Sequence, residues 1–504
     1  MDLADLIARN AAFTPDKSAL VFEGEALSYR AFYDRIERAA HGLHVEFGVS
    51  RGDRVAILSL NRPDYLVLLY ACARLGAMLV PLNWRLAAAE QRFILADASP
   101  KALLLEQAFA RILPALQTTL PGIRVAGLDF SPQAVSFEAL LTTGKGGNRD
   151  PDVDLACRLL IVYTSGTTGR PKGAVLTQEA LLWNGVMSQH MHGLTSDDHV
   201  LTVLPFFHVG GLNIQTTPAL HHGACVTIHP RFAPDAALAA IARDRPTLTV
   251  LVPATLQAMT DHPAWAATDL SSLKAVTTGS QIVPPHLIER FVARGVPVLQ
   301  VYGSTETCPI AVYTRLGGDL SRVGSTGLPG LCCEARVIDE NGAELPAQRL
   351  GEIAVRGPNV FSGYWGNEEA TGEALRDGWY RTGDIGSVDR DGWFYVHDRK
   401  KNMIISGGEN ISAAEVERAL LEHPDVADCG VIGVPDSRWN EAPVAYVIAR
   451  AGASIDAEAL QAHMLARLAR FKVPREFVFV EELPRTALGK VQHFRLKEMA
   501  GDRR

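Results

Sequence analysis

At 504 residues the chain is too long for one typical core, so two or more domains are expected. Its 47% hydrophobic and 21% charged residues give an ordinary globular composition. A net charge of −7 and a pI near 6.1 argue against a basic face for nucleic acid or anionic membrane. The seven cysteines (72, 157, 225, 308, 332, 333 and 429) are odd in number and lack C-x-x-C spacing. Neither a disulfide framework nor a zinc site is expected, and the expected compartment is the reducing cytoplasm.

Asp2, Asp5 and Arg9 interrupt the apolar N-terminus, so no signal-peptide core is expected. Segments 54–60, 78–82, 102–105, 159–163, 199–204, 224–229, 248–252, 275–278 and 296–301 read as strands. Between several of them lie segments with helical spacing, such as 63–75 and 234–243. The most apolar stretch, 65–82, is broken by Arg74, Gly76 and Pro81, and reads as a buried helix and then a strand rather than an integral membrane segment. Peripheral membrane association and a homodimer both stay open. Strand–helix alternation predicts an α/β fold with parallel and mixed sheets covered by helices, and ligands at the carboxyl ends of the strands. Residues 144–148 read as a plain surface loop. After about residue 325 come short strands (335–338, 351–355, 380–382, 393–396), which predict a β-rich antiparallel subdomain. The charged run 398–402 marks the expected boundary between domain 1–400 and a small α+β domain, 401–504. The latter reads as helix 412–422, strands 428–433 and 444–449, helix 456–468, strand 477–480 and a last helix.

Residues 161–173 read Ile-Val-Tyr-Thr-Ser-Gly-Thr-Thr-Gly-Arg-Pro-Lys-Gly. A β-type run feeds a loop of hydroxyls and glycines (Thr164, Ser165, Gly166, Thr167, Thr168, Gly169) that ends near Lys172. Glycines let backbone N–H groups approach a polyanion, and hydroxyls with one cation supply the other donors a triphosphate needs. Gly166 and Lys172 are spaced nearly as in a Walker A loop, but Pro171 and Gly173 replace its second glycine and its magnesium-binding hydroxyl. It is a phosphate loop of another kind, or else a mobile polar turn.

Other residues carry compatible chemistry. Asp384 can accept from two ribose hydroxyls, or serve as an Asx-turn residue. Tyr302 can stack on adenine while Gly303 keeps the approach open, or be a core tyrosine. Glu306 offers a hard oxygen for Mg²⁺ and Thr305 a hydroxyl for phosphate, although the pair also suits a helix start. Lys490, beside Gly489, can reach into a cleft or lie on the surface. His208 follows a strand end and is either a site residue or a core histidine. The pairs His190/His192 and His221/His222 are too closely spaced for a helical metal face and read as structural.

The motifs 164–173, Tyr302-Gly303-Ser304-Thr305-Glu306, Tyr380-Arg381-Thr382-Gly383-Asp384, Ser406-Gly407-Gly408-Glu409-Asn410 and Gly489-Lys490 occur in that order. Together they resemble the adenylate-forming superfamily that holds acyl-CoA synthetases, luciferases and peptide-synthetase adenylation domains. Residues 406–411 point to the acyl-CoA ligase branch. The resemblance implies an ATP-dependent acid–thiol ligase that turns a carboxylic acid into acyl-AMP and then acyl-CoA, with ATP, Mg²⁺ and coenzyme A. It places residues 164–169, Lys172, Ser280, Gln281, Tyr302, Gly303, Thr305, Asp384, Arg399 and Lys490 around the nucleotide, and Glu306 on Mg²⁺. It gives catalytic parts to Thr167, Lys172, His208, Glu306 and Lys490, the last bridging carboxylate and α-phosphate. His208, Val209, Gly211, Ser280, Val301, Gly303, Cys308 and Pro309 would line the acid pocket. Gly407 and Gly408 would meet the coenzyme A thiol after the small mobile domain turns about Lys401.

This sequence departs from the pattern at Asn402, Asn440, Leu488 and Gly279-Ser280-Gln281. The pocket candidates include no arginine, which disfavours a dicarboxylate. Val301 narrows a tunnel and favours a medium-chain or aromatic acid over a very long one. The candidate acids are thus medium- or long-chain fatty acids and aromatic acids. The rival readings are transfer of the acyl group to a carrier protein or amine, and a non-catalytic nucleotide sensor.

Overall fold

The computed structural model describes residues 1–131, 135–144, 150–164, 171–280, 283–322, 324–406, 409–436, 440–453, 455–468, 470–486 and 489–501. The chain divides into two compact units, Met1–Ala335 with Val355–Tyr380, and Arg336–Ala354 with Arg381–Arg504.

The first unit holds a nine-stranded and a seven-stranded sheet. In the larger, Val298–Tyr302, Ala275–Gly279, Leu248–Leu251, His199–Thr202, Cys225–Ile228 and Ser18–Phe22 run parallel in that spatial order, with antiparallel strands at both edges. In the smaller, Arg124–Gly127, Ala102–Leu105, Arg54–Leu58, Met78–Pro81 and Arg158–Thr164 run parallel, followed by antiparallel Lys172–Thr177 and Gly363–Tyr364. Strand alternation sorts the side chains between two cores. Val55 and Ile57 pack with helices Tyr29–Phe47 and Pro63–Leu75, while Ala56 and Leu58 pack with helix Ala88–Ala98. Sheets covered on both faces leave their loops at the strand ends, where the motif residues fall.

Helix Pro63–Leu75 shows why an apolar run here is not a membrane span. Pro63 takes the first-turn position, every residue from Asp64 to Leu75 is buried, and Gly76 ends the helix at φ +63°. Arg74, inside that run, pairs with Asp2 (2.5 Å), Asp5 (2.9 Å) and Glu37 (2.9 Å). Among the described residues no helix is long and apolar enough to cross a membrane.

In the second unit, strand Phe394–Arg399 pairs with the strand Trp379–Val388, through which the division between units runs. Both are longer than the segments 380–382 and 393–396 expected from sequence. Asp398 and Arg399, in the charged run, pair with Ile385 and Asp384 at the end of strand Phe394–Arg399, and the Asp398 carboxylate accepts from Ser412 Oγ (2.8 Å) and the Ala414 N–H (3.0 Å) at the start of helix Ala413–Leu421. A second sheet has the order Glu409–Ile411, Ile404–Ser406, Asn440–Ala449, Val426–Asp436, and Glu476–Phe479 adds to Asn440–Ala449 in parallel. Helices Ala413–Leu421 and Ala457–Leu465 bury Val416, Leu420 and Leu460 against it. Of the predicted surface loop 144–148, all but Gly144 lies outside the described residues.

Gly76→Ala forces a left-handed Cβ against Val153 and Arg51. It is expected to destabilise the first unit by about 1–2 kcal/mol, seen as a lower urea midpoint. An unchanged midpoint would show that the turn relaxes without cost.

Candidate active site

Strands Arg158–Thr164 and Lys172–Thr177 form a hairpin in which Thr164 and Lys172 are paired. The hydroxyl-rich loop therefore leads into a strand, not into a helix as in a Walker A loop. Ser165, Gly166, Thr167, Thr168 and Gly169 lie outside the described residues. The Lys172 ammonium stands 5.3 Å from the centre of the Tyr364 ring. The Tyr364 hydroxyl donates to Glu306 Oε1 at 2.8 Å. Lysine, tyrosine and buried glutamate thus share one corner of the first unit.

Glu306 lies in the short 3-10 turn Thr305–Thr307, just beyond strand Val298–Tyr302. The Ser304 N–H donates to Thr307 Oγ1 (2.9 Å), and the Phe361 N–H donates to the Glu306 carbonyl (2.8 Å). Asn359 Nδ2 donates to the carbonyls of Thr307 (3.0 Å) and Ile310 (2.8 Å), bracing the segment after the turn. A Cβ on Gly303 would fall on the Pro309 carbonyl, and one on Gly279 on the Val301 carbonyl. Tyr302 and Val301 are buried at the strand end, and Ser280 has a left-handed φ of +75°. Gln281 is outside the described residues.

His208 precedes the short helix Val209–Asn213, its ring 4.7 Å from that of Phe207. Gly211 sits where a Cβ would meet the Leu204 and Pro205 carbonyls. Cys308 is fully buried, accepts at Sγ from Asn213 Nδ2 (3.5 Å), and burial pushes its thiol pKa up. Pro309 and Val209 are buried beside these residues in the sequence.

The remaining candidates belong to the second unit. Asp384 lies opposite Arg399 across the strand pair, with Oδ1 2.6 Å from Arg399 Nε. Its own N–H donates to Thr382 Oγ1 (3.1 Å). The preceding Gly383 takes φ +71° and donates to Glu352 Oε1 (3.0 Å). Lys401 lies in the turn Lys400–Asn402, whereas Gly407 and Gly408 are outside the described residues. Lys490 sits in a turn that closes on itself: the Thr486 N–H donates to the Lys490 carbonyl (2.7 Å), and the Lys490 N–H donates to Thr486 Oγ1 (3.2 Å). Arg485 ties this turn to the Gly489 carbonyl and to Asp428.

Residues 7–365 match the family model of the AMP-binding enzyme, and residues 415–490 that of the AMP-binding enzyme C-terminal domain. The chain belongs to the AMP-binding enzyme family. It is 48% identical to indoleacetate–CoA ligase of Aromatoleum aromaticum, over 98% of this chain and 97% of that one. It is 41% identical to feruloyl-CoA synthase of an Amycolatopsis species, over 96% of each chain. The solved structure of o-succinylbenzoate CoA synthetase from Bacillus subtilis, in complex with its acyl-adenylate intermediate, superposes with a TM-score of 0.87. That match has 31% identity and covers 99% of this chain and 98% of that one.

This AMP-binding enzyme is an acid–thiol ligase that converts a carboxylic acid through acyl-AMP to acyl-CoA, using ATP, Mg²⁺ and coenzyme A. Glu306 suits the metal. It is a buried carboxylate (7% exposed) with one tyrosine donor and, among the described residues, no ion pair. Such a charge is costly unless a cation meets it. No cluster of three or more potential metal ligands occurs among the described residues, so a magnesium ion held at Glu306 would take other ligands from phosphate and water.

Sequence reasoning missed Tyr364, Asn359 and a buried polar chain. His192 Nδ1 lies 2.8 Å from the Ser188 carbonyl, so it donates, and Nε2 lies 2.8 Å from Thr277 Oγ1. Gln215 Nε2 donates to the same Thr277 oxygen at 3.1 Å. Of these only His192 was singled out in the sequence, as a structural histidine; no local signal marks its partners, because only tertiary packing assembles them. Full burial lowers the His192 pKa from 6.5 to about 4. The unfolded chain therefore binds a proton that the folded chain refuses, and the stability present above pH 6.5 is lost as pH falls toward 4. For this group alone the loss between pH 7 and 5 is on the order of 2 kcal/mol. His192→Gln should flatten the dependence of the urea midpoint on pH over that interval. An unaltered slope would place the acid sensitivity elsewhere.

Proposed function

We propose that this ligase activates an aromatic carboxylic acid, and that the residues assembled above divide its two half-reactions between them. The observation that carries the substrate class is the 48% identity, along nearly the whole chain, to an indoleacetate–CoA ligase. A feruloyl-CoA synthase at 41% points the same way. The acid-pocket candidates His208, Val209, Gly211, Ser280, Val301, Gly303, Cys308 and Pro309 carry no guanidinium, which suits an acid with one carboxylate and an apolar body.

In the first half-reaction the acid carboxylate attacks the α-phosphorus of ATP and pyrophosphate leaves. Residues 164–169 and Lys172 hold the outgoing phosphates, and Thr305 donates to the α-phosphate. Tyr302 stacks on adenine, with Ser280 and Gln281 beside it, while Asp384, oriented by Arg399, accepts from the ribose hydroxyls. Mg²⁺, held by Glu306, neutralises phosphate charge when bound. Lys490 bridges the acid and the α-phosphate. In the second half-reaction the thiol of coenzyme A attacks the acyl carbonyl and AMP leaves. The lysine is then in the way, so the body 401–504 turns about Lys401 and presents Gly407 and Gly408, which have no side chains to obstruct the thiol. His208 stands between the acid and thiol paths. Seven free thiols suit a cytoplasmic compartment, and gel filtration distinguishes a monomer from a homodimer.

Two measurements test this reading. Product analysis with MgATP, coenzyme A and a panel of aromatic, fatty and short acids is expected to give thioesters from the aromatic class; thioesters from fatty acids alone would sink it. Lys490→Ala is expected to slow acyl-AMP formation at least about 100- to 1000-fold while sparing thioester formation from supplied acyl-AMP. Equal losses in both halves would remove the lysine from its assigned part.

A further inference from the structure

Tyr364 reaches Glu306 from a strand that belongs to the same sheet as the phosphate-loop hairpin. Strand Gly363–Tyr364 lies antiparallel on Lys172–Thr177, with Tyr364 opposite Ala174. The Ser362 N–H donates to the Val175 carbonyl (2.9 Å) and the Trp365 N–H to the Gly173 carbonyl (2.7 Å), so the pairing is closed on both sides of Tyr364. Its own N–H is held by Thr371 Oγ1 (2.9 Å). Side chains alternate along a strand, so Lys172 shares a face with Ala174 and is the diagonal neighbour of Tyr364. That register places the ammonium 5.3 Å from the ring centre.

At the other end of the ring the hydroxyl donates to Glu306 Oε1 (2.8 Å). The segment also holds the Glu306 main chain, because the Phe361 N–H donates to the Glu306 carbonyl (2.8 Å). The rings of Phe361 and Tyr364 meet edge to face at 4.9 Å. Glu306 is therefore tied at both main chain and side chain to residues 361–365, which are locked in turn onto the strand leading out of the loop. An ionised carboxylate only accepts hydrogen bonds, through two oxygens. The hydroxyl occupies one of them and restrains rotation of the group, while Glu306 Oε2 has no donor among the described residues. A hydrogen bond to a buried charge also offsets part of the cost of keeping it ionised.

We propose that Tyr364 is a positioning residue for adenylation, whose hydroxyl orients the Glu306 carboxylate so that its second oxygen meets the magnesium ion carried by ATP. This rests on the assignment of Glu306 to that ion. It adds that the sheet carrying the phosphate loop also sets the aim of the metal ligand, through one phenolic hydroxyl.

The test reads nucleotide binding and needs neither acid nor coenzyme A. The Kd for ATP is measured by titration calorimetry with excess Mg²⁺ and with EDTA, and the ratio of the two is the enzyme's preference for the magnesium complex. Tyr364→Phe keeps the ring beside Lys172 and Phe361 and removes only the hydroxyl. It is expected to cut that preference about tenfold or more, with the Kd in EDTA within about twofold of the parent. In a Glu306→Gln background the same change is expected to move the preference by less than about twofold, because the hydroxyl acts through the carboxylate. Equal weakening of ATP with and without Mg²⁺ would show a merely structural role and overturn the proposal. So would a further loss of preference when Tyr364→Phe is added to Glu306→Gln. A preference that Glu306→Gln abolishes but Tyr364→Phe leaves intact would overturn the part given to Tyr364 alone. A preference that survives Glu306→Gln would remove Glu306 from the metal, and this proposal with it.

Discussion

Backbone carbonyls leave no room for a side chain at three glycines, and the rest of the candidate site depends on that crowding. A Cβ on Gly279 would strike the Val301 carbonyl, one on Gly303 the Pro309 carbonyl, and one on Gly211 the carbonyls of Leu204 and Pro205. These neighbours are main-chain atoms of strands and of the tight segments that follow them, so they cannot swing aside as a flexible side chain would. The close approach of Ala275–Gly279 to Val298–Tyr302 sets where Tyr302 ends and where the turn carrying Glu306 begins. Asn359, 52 residues beyond Thr307, then fixes the far side of that segment through two carbonyls. Precision at the site therefore comes from backbone packed on backbone.

The same rigidity lets the first unit keep a buried carboxylate near a cation without pairing them directly. Tyr364 stands between them: its hydroxyl serves Glu306 and its ring face lies under Lys172. A direct Lys–Glu pair would neutralise both groups and leave little reason for either to engage a metal–phosphate complex. With the aromatic ring interposed, each stays available to the metal–phosphate complex of the proposed cycle. In the second unit the logic is reversed. Asp384 is paired outright with Arg399, yet a carboxylate has about four lone-pair directions. One bidentate or single contact with arginine orients it and leaves acceptors for a pair of hydroxyls.

Much of this was legible because strands buried on both faces read as unbroken apolar runs, as at Ala102–Leu105 and Leu248–Leu251. The family was legible because its motifs are contiguous: Tyr302 to Glu306 and the segment before Lys490 each carry the resemblance within a few residues. Strand Trp379–Val388 was underestimated because Gly383, Asp384 and Gly386 dilute its β character, and only pairing with Phe394–Arg399 sustains it. The helix over Tyr29–Phe47 went unremarked because its buried residues are spread among arginines and acids that face out. Tyr364, Asn359 and Gln215 had no signal at all, and His192 was legible only as a structural histidine. Each is an unremarkable polar residue in its own stretch, and its partners lie up to 85 residues away in the case of His192 and Thr277.

Leu488 lies outside the described residues, but the turn on either side of it is held by its own hydrogen bonds. The hydroxyl that holds the Lys490 N–H belongs to Thr486, and the Thr486 N–H returns a bond to the Lys490 carbonyl. The lysine backbone is thereby held at both its N–H and its carbonyl. Arg485, joined to both the Gly489 carbonyl and Asp428, anchors the same turn to the strand Val426–Asp436. A turn so closed cannot withdraw its lysine by melting unless several hydrogen bonds break together. A charge required in one half-reaction and obstructive in the next is then most cheaply removed by moving the body that carries it. That is the mechanical reason for a swivel at Lys401 in the proposed cycle: the loop stays intact, and the displacement is absorbed by the few backbone angles of a short turn.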